Sequence, residues 1–167
     1  KLEKAYKEGK IKSIGISNFQ GAALKKLLEE CEIKPHVIQM EAHPYYRDEE
    51  TISTLAPCGC RVMAWYPLGH GDHTLLEEPV VKALAEKYGK STAQVILRWH
   101  TQVGNIVIPG STNPEHIKAN LDIFDFELTD EEMKKMAGLN KNVRYYYPDE
   151  EKLAAYANMK IDLDSQK

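Results

Sequence analysis

A chain of 167 residues is long enough to bury a core and short enough for one domain, which excludes a peptide hormone or a disulfide miniprotein. Hydrophobic residues at 43% and charged residues at 28% give an ordinary soluble balance, and no stretch approaches the roughly 20 apolar residues of a membrane span. The 22 Lys and Arg against 25 Asp and Glu leave a net charge of −3, without the basic excess of a polyanion binder, so neither nucleic acid nor membrane is an expected partner.

The opening KLEKAYKEGK is charged and amphipathic, carries no apolar leader segment and does not start with Met, so it reads as a piece of something longer. Cys31, Cys58 and Cys60 are an odd number without CxxC spacing, which fits a reducing cytoplasm rather than a disulfide framework. Residues 2–8 have a helical pattern closed by Gly9, and 11–16 form a short β-rich run. Residues 22–32 follow with Leu24, Leu27, Leu28 and Cys31 at helical spacing, and then Pro35 introduces a buried strand at 36–40. The next helix, DEETISTLAP, sets Ile52, Leu55 and Ala56 on one face before Gly59 and a strand at 61–66.

A loop rich in Gly, His and Asp at 69–74 leads into two helices, the second opened by a capping box of Ser91 and Gln94. Residues 105–109 form a fourth strand, and Asn113-Pro114-Glu115 starts a helix through Asn120, with Ser111 at its anion-favouring end. Thr129 with Glu132 caps a further helix, and 141–167 reads as a surface loop or tail. Strands near 11, 36, 61 and 105 separated by helices specify an α/β fold of parallel βα units with right-handed crossovers. Such units make half of a (β/α)8 barrel, which takes roughly 250 residues to close.

Functional groups in parallel βα folds gather where strands end. Those ends carry Ser17 and Asn18, then Gln39, Glu41 and His43, then Trp65 and Tyr66, and finally Ser111 and Thr112. They are binding groups more than acid–base catalysts. Ser17 and Asn18 suit an amide partner, but SNF before a helix is also a capping sequence. Gln39 inside an apolar strand needs either a structural hydrogen bond or a ligand. His43 before Pro44 reads as a structural strand-end histidine. His70, Asp72 and His73 match no standard metal set, so no metal is expected, and Cys58 and Cys60 read as independent thiols. The tyrosines 145–147 either cover a pocket or pack the tail.

Taken together, KIKSIGISNF, HVIQMEAHPYY, VMAWYPLG, EKYGKSTAQVILRW and IVIPGSTNPEHIKANLDIFDFELTDEEM resemble the second half of an aldo-keto reductase, the fifth to eighth βα units of its barrel. The resemblance implies a half-barrel domain over 1–140, a substrate-side C-terminal loop over 141–167, and a TIM-type barrel in the parent that reduces aldehydes and ketones with NADPH or NADH and no metal. It implies that Ser17, Asn18 and Gln39 hold the nicotinamide carboxamide and that Trp65, where the family usually has Tyr, stacks on the ring. Leu68 falls in the pyrophosphate segment, with Tyr66 in place of the usual Ser. Ser111, Thr112, His116 and Asn120 fall in the adenosine segment, where Gly110 and His116 replace the usual Lys and Arg and so weaken the contacts to a 2′-phosphate. Ala119 stands where the family often has Glu facing the adenine.

The family's catalytic Asp, Tyr, Lys and His belong to its first four βα units, so the resemblance transfers no catalytic residue to this chain. The expectation is therefore a cofactor-binding half, inactive alone, with a small carbonyl compound as the parent's substrate. Its expected partners are a missing N-terminal half or a second copy joined through open sheet edges. The rival reading is a non-catalytic half barrel that serves as a structural or nucleotide-binding module and self-associates.

Overall fold

The computed structural model describes residues 1–147 together with 149, 151, 152, 155 and 158; the rest of the stretch expected as a C-terminal loop lies outside the described residues. Helix α1 (Leu2–Lys7) leads into a sheet of four parallel strands, β1 (Gly15–Ser17), β2 (Val37–Glu41), β3 (Arg61–Trp65) and β4 (Ile106–Val107), paired in chain order. Between β1 and β2 runs α2 (Gly21–Glu30), and α3 (Glu49–Leu55) with a 3-10 turn at Ala56–Cys58 precedes β3. After β3 come α4 (His73–Leu76), α5 (Pro79–Tyr88) and α6 (Thr92–Gln102), and after β4 come α7 (Pro114–Leu121) and α8 (Asp130–Ala137). Right-handed crossovers that always advance in one direction place helices on one face of the sheet.

Alternation along the strands makes that face the core. Ile38 and Met40 of β2 pack with Val62 and Ala64 of β3 and with Leu24 and Leu55 of the helices, all buried. A second cluster lies among the helices, where Trp99 of α6 meets Val81 and Leu84 of α5 and Met136 of α8. Two strands are shorter than their sequence runs. The Ile14 N–H bonds the imidazole of His36 at 3.1 Å rather than a ladder carbonyl, so β1 starts at Gly15. The Asn105 N–H is taken by the His100 carbonyl at 2.9 Å, and Pro109 has no N–H to give, so β4 keeps only Ile106 and Val107.

Both expected capping boxes form. Ser91 and Gln94 exchange bonds of 2.9 and 3.2 Å at the start of α6, and Thr129 and Glu132 exchange bonds of 2.8 and 3.4 Å at the start of α8. Glu132 also accepts from Lys87 at 2.6 Å and Tyr88 at 2.7 Å, tying α8 to α5. Replacing Thr129 by alanine removes one of the two box bonds and is expected to lower stability by about 1 kcal/mol in urea unfolding. Among the described residues no helix is long and apolar enough to cross a membrane.

Candidate functional site

Parallel pairing brings all four strand ends to one edge of the sheet. The register aligns Ser17, Gln39, Met63 and Ile106 in one cross-strand row, and Glu41 with Trp65 in the row two residues nearer the edge. Both rows lie on the face opposite the core, because Ile38, Met40, Val62 and Ala64 occupy the alternate positions. Ser17 is exposed and Gln39, Met63 and Trp65 are half-buried, so this face is open except at Glu41, which is buried.

The capping reading of Ser17 and Asn18 does not hold. The N-cap of α2 is Gln20, whose amide donates to Asp48 at 2.6 Å. Asn18 instead takes a left-handed backbone (φ 57) while its N–H continues the ladder to the Gln39 carbonyl at 3.0 Å. Its side chain is exposed at the end of β1. The Gln39 amide donates to the Met63 thioether at 3.4 Å, a weak acceptor, so an amide able to make several strong bonds stands on the open face with a poor one.

The loop after β3 carries the aromatic candidates. Trp65 stacks on Tyr66 at 3.8 Å between ring centroids, and Tyr66 stacks on His70 at 4.0 Å. Tyr66 and His70 both have φ 54, and Gly69 and Gly71 are also left-handed. Non-glycine residues in this region cost about 1 kcal/mol or more each and concentrate at ligand-contacting turns. The turn is held from behind: His100 Nε2 donates to the Pro67 carbonyl at 3.0 Å, while its Nδ1 accepts from the Asn105 amide at 3.0 Å. His100 is fully buried, and burial pushes its pKa down to about 3. Leu68 packs against the core cluster of α5, α6 and α8.

The loop after β4 brings Ser111 and Thr112 to the same edge. Ser111 Oγ accepts from the Asn113 N–H at 3.1 Å, and the Asn113 side chain caps α7 through the Glu115 N–H at 3.0 Å. His116 is exposed on the first turn of α7 and Asn120 half-buried on its last; at about 1.5 Å per residue they lie roughly 3 and 9 Å along the helix from Pro114. Asn120 is thus set back from the strand-end rows. Space around Gly110 is open, with nothing within 4 Å of a Cβ placed there. A surface cleft of about 440 Å³ lies beside α2, lined by none of Ser17, Asn18, Gln39 or Trp65, and one of about 290 Å³ lies at the amino-terminal end of β3.

Sequence reasoning missed what Glu41 does. Its side chain is fully buried and accepts from His43 Nε2 at 3.1 Å and from the backbone N–H groups of Tyr145 and Tyr146 at 2.5 and 3.2 Å, with Arg144 Nε at 3.7 Å. Burial raises its pKa, and the bonds from His43, Tyr145 and Tyr146 outweigh that and hold it below the ordinary carboxylate range. The one signal in the sequence is a carboxylate in an otherwise apolar strand, which demands donors. Asp72 caps α4 through the Thr74 N–H at 2.8 Å and accepts from the Tyr145 hydroxyl. The three tyrosines therefore divide: Tyr145 locks onto Glu41 and Asp72, Tyr146 sets its ring 5.3 Å from Trp65, perpendicular to it, and Tyr147 is exposed.

Residues 1–141 match the model of the Aldo/keto reductase family. The chain is 48% identical over 143 residues to the glyoxal reductase of Bacillus subtilis, covering 86% of this chain and 51% of that protein. Its fold superimposes on an aldo/keto reductase from Brucella melitensis with a TM-score of 0.76 and 43% identity, covering 83% of this chain and 52% of the other. A variant of the protein Gox0644 crystallised in complex with NADPH gives a TM-score of 0.78 at 35% identity, covering 83% and 51%. The chain spans about half the length of the curated relatives it matches.

Proposed function

The chain belongs to the aldo/keto reductase family, and from that premise we propose that it is the dinucleotide-binding half of an NAD(P)H-dependent reductase of small aldehydes and ketones. The observation that carries this reading is the row of Ser17 and Gln39 on the open sheet face, next to the row of Trp65. A carboxamide offers one acceptor and two donors, which the Ser17 hydroxyl and the amides of Asn18 and Gln39 complement. Trp65 supplies an aromatic surface for the ring. Leu68 and the backbone about Tyr66 then run along the pyrophosphate, and Ser111, Thr112, His116 and Asn120 meet the adenosine end. The dinucleotide, when bound, supplies the hydride; these side chains hold and orient it.

Gly110 brings no side chain and His116 no fixed positive charge to the adenosine end, so NADPH is expected to gain little over NADH from a 2′-phosphate. We assign no proton donor to the chain. A phenol acts as a general acid when its pKa is lowered towards neutrality, whereas burial raises those of Tyr45, Tyr46 and Tyr145. The chain by itself is therefore expected to bind dinucleotide without reducing carbonyls. Unpaired cysteines suit a reducing cytoplasm.

Calorimetric titration with NADPH and NADH beside an aldehyde-reduction assay tests this. The expected result is binding of both within about tenfold of one another and no turnover, with Gln39→Leu weakening both by about fivefold to tenfold, the loss of one hydrogen-bonded group. Turnover by the chain alone would contradict the assignment of no proton donor. A second reading, a half barrel that self-associates, is favoured by one observation: Ile106, Ile108, Ile117, Leu121 and Phe124 around β4 and α7 are exposed apolar side chains. A monomer at high concentration by sedimentation would remove it.

A further inference from the structure

We propose that Tyr145 is a latch that locks residues 141–147 to the loop 66–74, so that the two walls of the open sheet face move as one unit. Each part of Tyr145 has its own anchor. Its N–H donates to Glu41 at the end of β2, 2.5 Å away. Its ring stands 4.6 Å from the His43 imidazole and lies against Gly69, where a Cβ would come within 3.2 Å of it. Its hydroxyl donates to Asp72, 73 positions away in sequence, and Asp72 in turn caps α4. One residue thus joins the end of β2 to the start of α4.

The rest of the segment has contacts of its own. Lys141 and Val143 both donate to the Tyr45 carbonyl, at 3.0 and 3.4 Å, and Arg144 faces Glu41 at 3.7 Å. Beyond Tyr145 the chain carries Tyr146, whose N–H donates to Glu41 at 3.2 Å and whose ring stands against Trp65, so loosening the latch loosens the segment that brings that ring to the candidate platform. The joint itself is of the strong kind, a neutral phenol donating to a carboxylate. Burial and the Asp72 charge raise the phenol's pKa, and the phenol's bond, first among several, holds the Asp72 carboxylate below its ordinary range. Phenol and carboxylate therefore keep these protonation states through neutral pH.

If the chain takes a dinucleotide, a consequence that rests on the proposed function, a ligand that orders loop 66–74 also tightens 141–147, and the reverse by linkage. The latch itself is tested without any ligand, by amide hydrogen exchange on the intact chain followed by NMR. Tyr145→Phe keeps the ring and the N–H and removes the hydroxyl; Asp72→Asn keeps the cap and removes the charge. In Tyr145→Phe the amides of both Thr74 and Tyr146 are expected to exchange about fivefold to tenfold faster, the loss of one hydrogen bond, while Ile38 and Met40 in β2 keep their protection. Asp72→Asn is expected to accelerate Tyr146 likewise, and the double variant to exchange no faster than Tyr145→Phe. Acceleration at one wall only, no acceleration, or additive effects in the double variant would overturn the latch. Failure of NADPH to bind would overturn the functional reading instead and leave the latch standing.

Discussion

Lowering the pH from 7 to 4 is expected to strip about 3 kcal/mol from the folding stability through His100 alone. In the folded chain its pKa lies at about 3, with burial as the main cause, against an ordinary value of 6.5. Below pH 6.5 the unfolded chain takes up a proton that the folded chain refuses, so stability is full above that value and is lost as pH falls towards 3. Glu132 adds a smaller loss lower down, since the bonds from Lys87, Tyr88 and Thr129 outweigh its burial and hold it at about 2 against 4.5; its contribution is present above 4.5 and disappears below. Urea unfolding at a series of pH values measures both. His100→Gln is expected to flatten the slope between pH 6.5 and 4.5 and, by disturbing the support of Pro67, to cost about 1–3 kcal/mol at pH 7. A wild-type profile already flat over that interval would contradict the buried neutral imidazole.

The second large effect is expected at Gly69. Its φ of +72 is left-handed, and a Cβ there would sit 2.8 Å from Leu75 Cδ2 and 3.2 Å from the Tyr145 ring. The backbone term for a side chain in this region is about 1–2 kcal/mol, and displacing the buried Leu75 or the latched Tyr145 adds about 1–2 kcal/mol more. Gly69→Ala is thus expected to lower stability by about 2–4 kcal/mol. Gly71 separates the two terms: its φ of +79 is equally left-handed, but nothing lies within 4 Å of its Cβ position. Gly71→Ala is therefore expected to show the backbone term alone, and equal losses at the two glycines in chemical denaturation would show that contact with Tyr145 plays no part.

The alternation of βα units was legible because its signals are local. Buried strands and capping boxes depend on residues within a few positions of each other, and Ser91–Gln94 and Thr129–Glu132 close as their spacing indicates. Strand ends were less legible, because they were decided by competing partners for the strand N–H groups: the His36 ring, 22 positions on, shortens β1, and the closing turn of α6 shortens β4. At the site, the strand-end rule picked out Ser17, Gln39 and Trp65, and the register sets them in neighbouring rows at one edge of the sheet. The SNF cap failed because Gln20, two positions further on, starts α2 and turns its amide to Asp48. Glu41 was legible only as a carboxylate in want of donors. Apart from His43, two positions on, its donors come from 104 and 105 positions away, and no local pattern announces a partner at that separation.

Whether the open face around Ser17, Gln39 and Trp65 holds a dinucleotide is decided by an amide chemical-shift map of the full chain on addition of NADPH and of NADH. The predicted result is saturable shifts at Ser17, Asn18, Gln39 and Trp65, at loop 66–74 and at the residues from Ile108 to Asn113, nearly the same for the two dinucleotides except near Gly110 and His116. Saturable shifts confined to another surface, such as the cleft beside α2, or no shifts at either dinucleotide, would contradict binding at this face.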